Sequence, residues 1–163
     1  MIKHIVEVHV ENVMPQDFFD FMTNPNDHAY RAWWPERHHE FHVTKAGEVS
    51  HLGDEVWTFE NVDDKHQLKI LGVITEISEP SKIVWQFKKF GVMLPSRLIL
   101  TMEKSSAGLE LRHETQLGFK GWGKIFDPLF RFYFNKSYRA ALTEHCQIEW
   151  SRLALFLANY TER

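Results

Sequence analysis

The sequence of 163 residues is poor in cysteine, with Cys146 alone. One cysteine cannot form an internal disulfide, which argues against a disulfide-stabilised secreted fold and leads us to expect a reducing, cytoplasmic location. No charge of one sign dominates, because 19 basic residues stand against 22 acidic ones, for a net charge of −3. We therefore predict no basic nucleic-acid-binding surface and expect no nucleic acid partner.

Long hydrophobic runs are lacking as well. The most apolar stretch, IFDPLFRFYF at 125–134, contains Asp127 and Arg131 and is well short of the roughly 20 residues that span a bilayer. We expect no stable membrane insertion, and the charged, alternating N-terminus does not resemble a signal peptide. Aromatic residues, in contrast, are abundant, with 13 Phe and 6 Trp, which favours a large core or an aromatic-lined pocket.

The apolar pattern predicts one α+β domain over residues 1–163. Alternation over 3–11 predicts a strand, and Pro15 opens a short helix that stops before Pro25, followed by a second short helix over 27–33. A long helix is predicted over 127–160. Six further strands are expected at 38–46, 53–62, 67–78, 82–90, 96–104 and 109–118.

This order of elements predicts how the chain is layered. Consecutive strands joined by short turns form an antiparallel sheet, here of seven strands. The long C-terminal helix is the only predicted element large enough to cover the apolar face of such a sheet. We therefore expect a curved sheet around that helix, a helix-grip architecture, with a cavity wherever the side chains of the two layers do not meet.

His145 and Glu149 are four residues apart in the last predicted helix and therefore share one of its faces. At about 100° per residue, with Leu142 as reference, Glu149 lies inside the apolar arc and His145 at its edge. A carboxylate on a buried stripe must be paired, protonated, hydrated in a cavity or bound to a metal. The pair therefore indicates a functional cavity, the alternative being a solvated pair in which Glu149 bridges to Arg152.

The segment HHEFH at 38–42 is rich in metal-binding side chains, but strand alternation divides it. His38 shares a face with Glu40, while His39 shares the other face with Phe41. If the apolar face points inward, His39 enters the cavity in place of His38. Because Pro35 leaves the first residue of the strand open, the pattern alone does not choose between the two histidines.

His113 belongs to the apolar face of the predicted strand LELRHETQL, together with Leu109, Leu111 and Thr115. It is either a hydrogen-bonded core residue or, because a cavity is expected, a residue that binds the ligand or acts as a general acid or base. The ligand-binding wall is predicted to include Trp34, Trp85, Phe87, Met102 and Tyr138, although ordinary core packing would use the same residue types.

Three segments carry a resemblance to a known superfamily: NPNDHAYRAWWP at 24–35, GDEVWTF at 53–59 and GFKGWGKIFDPLFR at 118–131. In order and spacing they resemble the START-like superfamily, also called SRPBCC, polyketide cyclase or Bet v 1-like. The resemblance implies a helix-grip fold and an enclosed cavity for a small hydrophobic or aromatic molecule. Some members carry or sense lipids and other ligands, and others are cyclases, dehydratases or hydrolases, so fold alone does not set the function.

A narrower resemblance rests on WWPERHHEF at 33–41, followed far downstream by HCQIE at 145–149. This combination is similar to the zinc-dependent diacetylphloroglucinol hydrolase group of the superfamily. It implies three metal ligands, namely His38, three residues after the proline, and the helical pair His145 and Glu149. A fourth ligand is implied on an early strand, where Glu60 is the best match and Glu55 the alternative.

That resemblance also implies chemistry. Imidazole and carboxylate ligands suit zinc, which would be the cofactor, and Glu149 and His113 would then have catalytic roles. His145 and Glu149 could equally form a metal-free acid–base pair.

We therefore expect, first, a protein that encloses a small hydrophobic or aromatic molecule. The alternative is a metal-dependent hydrolase or lyase acting on a small ketone or polyketide-like aromatic. A second alternative is a regulatory module that interacts with another protein.

Overall fold

The computed structural model of the protein describes residues 1–119, 128, 132 and 134–160. Seven strands form one antiparallel sheet in the order β1-β7-β6-β5-β4-β3-β2. Their bounds are β1 Ile2–Glu11, β2 His38–Lys45, β3 Glu55–Asn61, β4 Gln67–Ser78, β5 Lys82–Lys89, β6 Val92–Lys104 and β7 Gly108–Leu117. β1 and β2 are the edge strands, so the chain crosses the width of the sheet between them.

Two short helices, α1 (Pro15–Thr23) and α2 (Asp27–Trp33), make that crossing. A single 3₁₀ turn, Val49–His51, joins β2 to β3, and a long helix α3 (Lys136–Tyr160) follows the sheet. The predicted α+β helix-grip class, with seven antiparallel strands and two short helices after the first strand, is confirmed. In the described part of the chain, none of the helices is both long and apolar enough to span a membrane.

Local sequence explains where the helices begin. Pro15 takes the first position of α1, where its missing N–H costs nothing. The side chain of Asn26 caps α2 by accepting a hydrogen bond from the Ala29 N–H at 3.0 Å. Asn135 does the same for α3, accepting from the Tyr138 N–H at 3.0 Å. The helix predicted over 127–160 is therefore interrupted: Pro128 and Phe132 are helical, Phe134 and Asn135 are not, and α3 begins at Lys136; residue 127 itself lies outside the described residues.

The strand bounds differ from the prediction mainly at β6, which begins at Val92 and not at residue 96. Lys89 pairs with Val92, so that β5 and β6 close through the two-residue turn Phe90–Gly91. The register shifts between Gln86 and Lys88, and Pro95 lies in this irregular stretch of β6. A bulge tolerates proline because its backbone does not need to donate to the neighbouring strand.

The core lies between one face of the sheet and the apolar stripe of α3. Leu142, Cys146, Trp150, Leu153 and Leu157 of that stripe are all buried, as the helical phase predicts. They pack with inward-facing sheet residues, which include Val6, Val10, Ile74, Ile83, Leu100, Leu109 and Leu111. This packing fixes α3 over the sheet and leaves the face of His145 and Glu149 turned toward the space between them.

Candidate functional site

A cavity of about 1440 Å³ lies between the sheet and α3. Its described lining is mostly apolar, as expected for a hydrophobic ligand. The wall includes Trp57, Ile70, Trp85, Phe87, Leu98, Leu100, Leu142 and Trp150. Its buried polar side chains include Glu60, His113, His145 and Glu149, and we call this part of the lining the polar end of the cavity.

Four of the predicted ligand-binding residues, Trp85, Phe87, His113 and Tyr138, line this cavity. Trp34 and Met102 do not appear in its described lining. Trp34 is buried behind the site, where its ring stacks on that of His145 with centroids 4.9 Å apart. Met102 is only 2% exposed and belongs to the solid core, beside Leu111 on β7.

The polar end of the cavity brings together His38, Glu60, His145 and Glu149. One ligand atom from each residue lies within 4.8 Å of all the others. All four side chains are buried, with exposed fractions of 0%, 8%, 2% and 5% respectively. These are the four residues that the sequence resemblance implied as metal ligands, drawn from β2, β3 and α3.

A β-bulge explains why His38, and not His39, joins the cluster. His38 pairs with Glu60 across β2 and β3, and the next pair is Glu40 with Phe59, so β2 carries one extra residue at His39. The bulge breaks the simple alternation and allows His38 and Phe41 both to be buried on the inner side. The ring of His39 packs instead against Phe59, with centroids 4.4 Å apart.

Backbone carbonyls orient both histidines of the cluster. His38 Nδ1 is 3.1 Å from the carbonyl oxygen of Tyr30, and His145 Nδ1 is 3.0 Å from that of Val62. Because a carbonyl only accepts hydrogen bonds, each Nδ1 must carry a proton, which leaves Nε2 of each ring as the atom that can coordinate a cation. Both Nε2 atoms are buried and have no hydrogen-bond partner.

The interatomic distances fit a small cation at the centre of the cluster. His38 Nε2 lies 3.2 Å from Glu149 Oε1, and His145 Nε2 lies 3.7 Å from Glu60 Oε1 and 3.9 Å from Glu149 Oε2. Two ligand atoms bound tetrahedrally at about 2.1 Å from zinc would be roughly 3.4 Å apart. Lone pairs that face carboxylate oxygens at such distances repel each other unless a proton or a metal ion lies between them.

Burial dominates the electrostatics of these groups. It lowers the pKa of His38 to about 4, although the nearby Glu60 carboxylate favours the charged ring. Burial also raises the pKa of Glu149 to about 8, opposed by His145 and assisted by the like charge of Glu60. In the metal-free protein at neutral pH, His38 is therefore neutral and Glu149 carries a proton. A bound divalent cation would remove the free-energy cost of burying these two groups.

Tyr30 is a site residue that sequence reasoning missed. Its hydroxyl donates a hydrogen bond to Glu60 Oε2, and its ring stacks on that of His38 at 3.9 Å between centroids. Burial, with Glu60 and Glu149 nearby, raises the pKa of Tyr30 well above its ordinary value, so it remains a donor. Its place inside the NPNDHAYRAWWP segment was the available signal, but nothing in the pattern pointed to the hydroxyl.

His113 lies on the inner face of β7, as its strand phase predicts, and contacts Cys146 across the cavity end. Its Nδ1 is 2.8 Å from the Cys146 Sγ. Burial lowers the pKa of His113 to about 4, and burial raises the pKa of the Cys146 thiol well above its ordinary value. A neutral ring beside a protonated thiol lets the S–H donate to Nδ1, which places the ring proton on Nε2.

Two alternatives that the sequence left open, Arg152 as the partner of Glu149 and Glu55 as a ligand in place of Glu60, are not formed in the structure. Arg152, the solvent-side partner considered for Glu149, lies over the Trp34 ring at 5.0 Å and 3.8 Å from a Glu36 oxygen. Glu55, the alternative to Glu60, forms an ion pair with Lys88 at 2.7 Å. The structure therefore brings Glu60 and Glu149 into the cluster and leaves Glu55 outside it.

Comparisons with known proteins establish the fold alone. No family model matches the sequence, and no curated protein matches it. A protein from Rhodobacter sphaeroides shares 15% identity over 96% of this chain and 93% of that chain, with a TM-score of 0.62. A protein of unknown function from Staphylococcus aureus shares 8% identity over 99% and 96%, with a TM-score of 0.59.

A third match, protein Ms6760 from Mycobacterium smegmatis, shares 12% identity over 97% of this chain and 90% of that chain, with a TM-score of 0.57. Such coverage shows that the whole architecture recurs in these proteins. At such low identity a shared fold does not transfer a ligand or an activity. The function therefore has to be argued from the cavity and its polar end.

Proposed function

We propose that the protein is a single START-like domain that encloses a small hydrophobic or aromatic molecule and acts on it as a metal-dependent hydrolase or lyase. The metal would be zinc, held by His38, Glu60, His145 and Glu149. The apolar cavity supports the ligand class, since its volume and aromatic wall suit a molecule with one or more rings. The substrate class that follows is a small ketone or ester attached to an aromatic or polyketide-like body.

One observation carries the metal proposal: two buried histidine Nε2 atoms lack hydrogen bonds while they face two buried carboxylates. Buried polar atoms are normally satisfied, so an unsatisfied pair calls for an explanation. An ordinary ion-paired cluster would use protonated histidines, but the low pKa of His38 opposes this. A cation held by two imidazoles and two carboxylates satisfies all four groups at once.

In the proposed mechanism, the cluster and the cavity wall have different roles. Zinc at this position would supply Lewis-acid polarisation of a carbonyl group and, if a water adds as a fifth ligand, a more acidic water. Tyr30 holds Glu60 by a hydrogen bond, and the Tyr30 and Val62 carbonyls hold the two histidine rings. Trp85 and Phe87 would position the aromatic body and keep water away from it.

His113 would assist at the same end of the cavity. With Nδ1 occupied by the Cys146 thiol, its Nε2–H would donate a hydrogen bond to a carbonyl oxygen of the ligand. In the metal-free alternative, Glu149 is the group suited to accept or return a proton near neutral pH, because its pKa is raised to about 8; with zinc bound, its carboxylate would serve as a ligand. These roles correspond to the general acid–base assignment of His113 and Glu149.

A metal-free ligand carrier is the second candidate, and the raised pKa of Glu149 favours it, since a protonated carboxyl can itself hydrogen-bond a ligand. Elemental analysis of protein purified without an affinity tag separates the two. The enzyme proposal predicts about one zinc, iron or manganese ion per chain, which is lost in His145→Ala. His9→Ala, which removes an exposed histidine beside Glu110, is the matched control and should keep the metal.

Two results would decide against the enzyme. A folded wild-type protein that stays metal-free after incubation with zinc would support the carrier, especially if native mass spectrometry finds a retained hydrophobic molecule. A protein that binds metal but hydrolyses none of a panel of aryl ketones and aryl esters would limit the proposal to metal binding.

A further inference from the structure

The turn between β5 and β6 has an unusual sequence for its geometry. Phe90 and Gly91 form a two-residue hairpin loop, with φ of 51° and 78°. Positive φ at both positions is what a type I′ turn requires, and Asn-Gly is the favoured sequence because asparagine tolerates the left-handed region. For a bulky residue such as phenylalanine the same backbone is strained.

Phe90 gains no buried contact in exchange for that strain. Its side chain is 94% exposed, and its neighbours Val92 and Met93 are 64% and 39% exposed. An exposed apolar side chain on a strained turn lowers the stability of the fold. A benefit from Phe90 must therefore come from contact with another molecule.

The tip lies at the open end of the cavity. Lys89, Phe90, Gly91 and Leu94 are part of the cavity lining, at the opposite end of β5 from the buried Ile83. Lys89 continues the inward-facing row of Trp85 and Phe87 along the strand. A ligand that enters here would pass directly beside the exposed ring of Phe90.

Basic side chains surround this opening. Lys69, Lys88 and Lys89 all line it, and Lys88 is neutralised by Glu55 at 2.7 Å. Lys69 lies over the Phe59 ring at 4.2 Å and Lys89 lies 5.6 Å from the Phe90 ring centroid. Neither of these two has an ion-pair partner among the described residues, so the tip combines an exposed ring with positive charge although the whole chain is acidic.

We propose that the β5–β6 turn docks the mouth of the cavity onto an anionic lipid surface, with Phe90 entering the interface and Lys69 and Lys89 contacting lipid headgroups. A protruding tip of a few residues suits a fluid surface, whereas a stable protein partner would need a complementary area of about 1,000 Å² or more. Docking would let a hydrophobic ligand pass between membrane and cavity without crossing water. It does not depend on a metal at the buried end.

Sedimentation with phosphatidylcholine vesicles, with and without phosphatidylserine, tests the proposal. Wild-type protein should bind the phosphatidylserine vesicles, and more weakly as salt increases. Phe90→Asn should lower binding by about tenfold or more, the smaller end of what burying a phenylalanine contributes, while Tm stays unchanged or rises because asparagine suits the turn. Lys89→Gln should reduce binding to anionic vesicles only.

Leu155→Gln is the control, because Leu155 is 72% exposed on α3, away from the turn, and this change should leave binding intact. Phe90→Gly is a second variant that is compatible with the turn backbone. The proposal is overturned if wild-type protein binds neither kind of vesicle, if both Phe90 variants bind as well as wild type, or if Leu155→Gln loses as much binding as Phe90→Asn. Sedimentation of metal-stripped protein should be unchanged, which keeps this outcome separate from that of the metal proposal.

Discussion

Metal binding should release one proton between pH 6.5 and 8, and that proton should come from Glu149. Burial raises the pKa of Glu149 to about 8, so its carboxyl is protonated in the metal-free protein over this range. The proton must leave before an oxygen can coordinate a cation. His38, whose pKa is lowered to about 4, is already neutral and adds no proton.

The expected magnitude follows from this count. With one proton displaced, the Kd for zinc should rise about tenfold for each pH unit below 8. Competition with a chelator of known affinity measures this slope, and calorimetry in buffers of different ionisation enthalpy counts the released protons directly. A Kd that does not change between pH 6.5 and 8 would refute the assignment of the proton to Glu149. Release of two protons would mean that a second member of the cluster is also protonated in the metal-free protein.

The same proton controls the stability of the metal-free protein. A folded-state pKa above the unfolded value gives stability that is complete below the unfolded pKa of about 4.5 and is lost as pH rises through about 8. His38 and His113, with lowered pKa values, act in the opposite direction and lose stability as pH falls from 6.5 toward 4. At pH 6.5 these two histidines are still half protonated in the unfolded chain and offset the Glu149 effect, whereas above about pH 7 the Glu149 effect, at most about tenfold in the unfolding equilibrium per pH unit, dominates.

Glu149→Gln tests this effect, because glutamine stays neutral at every pH. In denaturant unfolding from pH 6.5 to 8, metal-free wild type should lose stability relative to the variant, because the histidine contributions are the same in both proteins. Equal slopes in the two proteins would contradict the buried, protonated state of Glu149.

Two further variants probe the parts around the cluster. Tyr30→Phe keeps the ring that stacks on His38 but removes the hydroxyl that holds Glu60, so chelator competition should show roughly 10-fold weaker zinc binding; unchanged affinity would mean that Tyr30 does not position Glu60. Leu98→Trp should fill part of the cavity and weaken binding of a fluorescent hydrophobic probe without changing zinc affinity, whereas Ile99→Trp, on the opposite face of β6, should change neither. Equal loss of probe binding in both variants would argue against a ligand-binding cavity.

Most of the fold was predictable because its signals are local. Alternation in β1 and β7, Pro15 and the Asn24-Pro25 boundary each report on their own segment. The interruption before α3 was not predicted because the apolar pattern continues upstream of Lys136, while the side chain of Asn135 sets the start of α3. The turn at Phe90 was hidden because phenylalanine gives no turn signal.

The site was predictable only in part, for a related reason. Helical phase alone places His145 and Glu149 on the stripe facing the cavity. The choice of His38 over His39 depends on a β-bulge. A bulge shifts the pairing of two strands and produces no periodic pattern in the sequence of either strand. The Tyr30 hydroxyl and carbonyl come from α2, and the second orienting carbonyl comes from Val62, just after β3. These contacts therefore exist only once the layers have packed.

The central claim is that His38, Glu60, His145 and Glu149 bind one metal ion at the buried end of the cavity. Anomalous diffraction at the zinc edge, from crystals of protein incubated with zinc, tests it most directly. The account predicts a peak about 2.0–2.2 Å from both histidine Nε2 atoms and from an oxygen of each carboxylate. A map with zinc only at surface pairs such as His66 and Asp63, and none among these four residues, would contradict it.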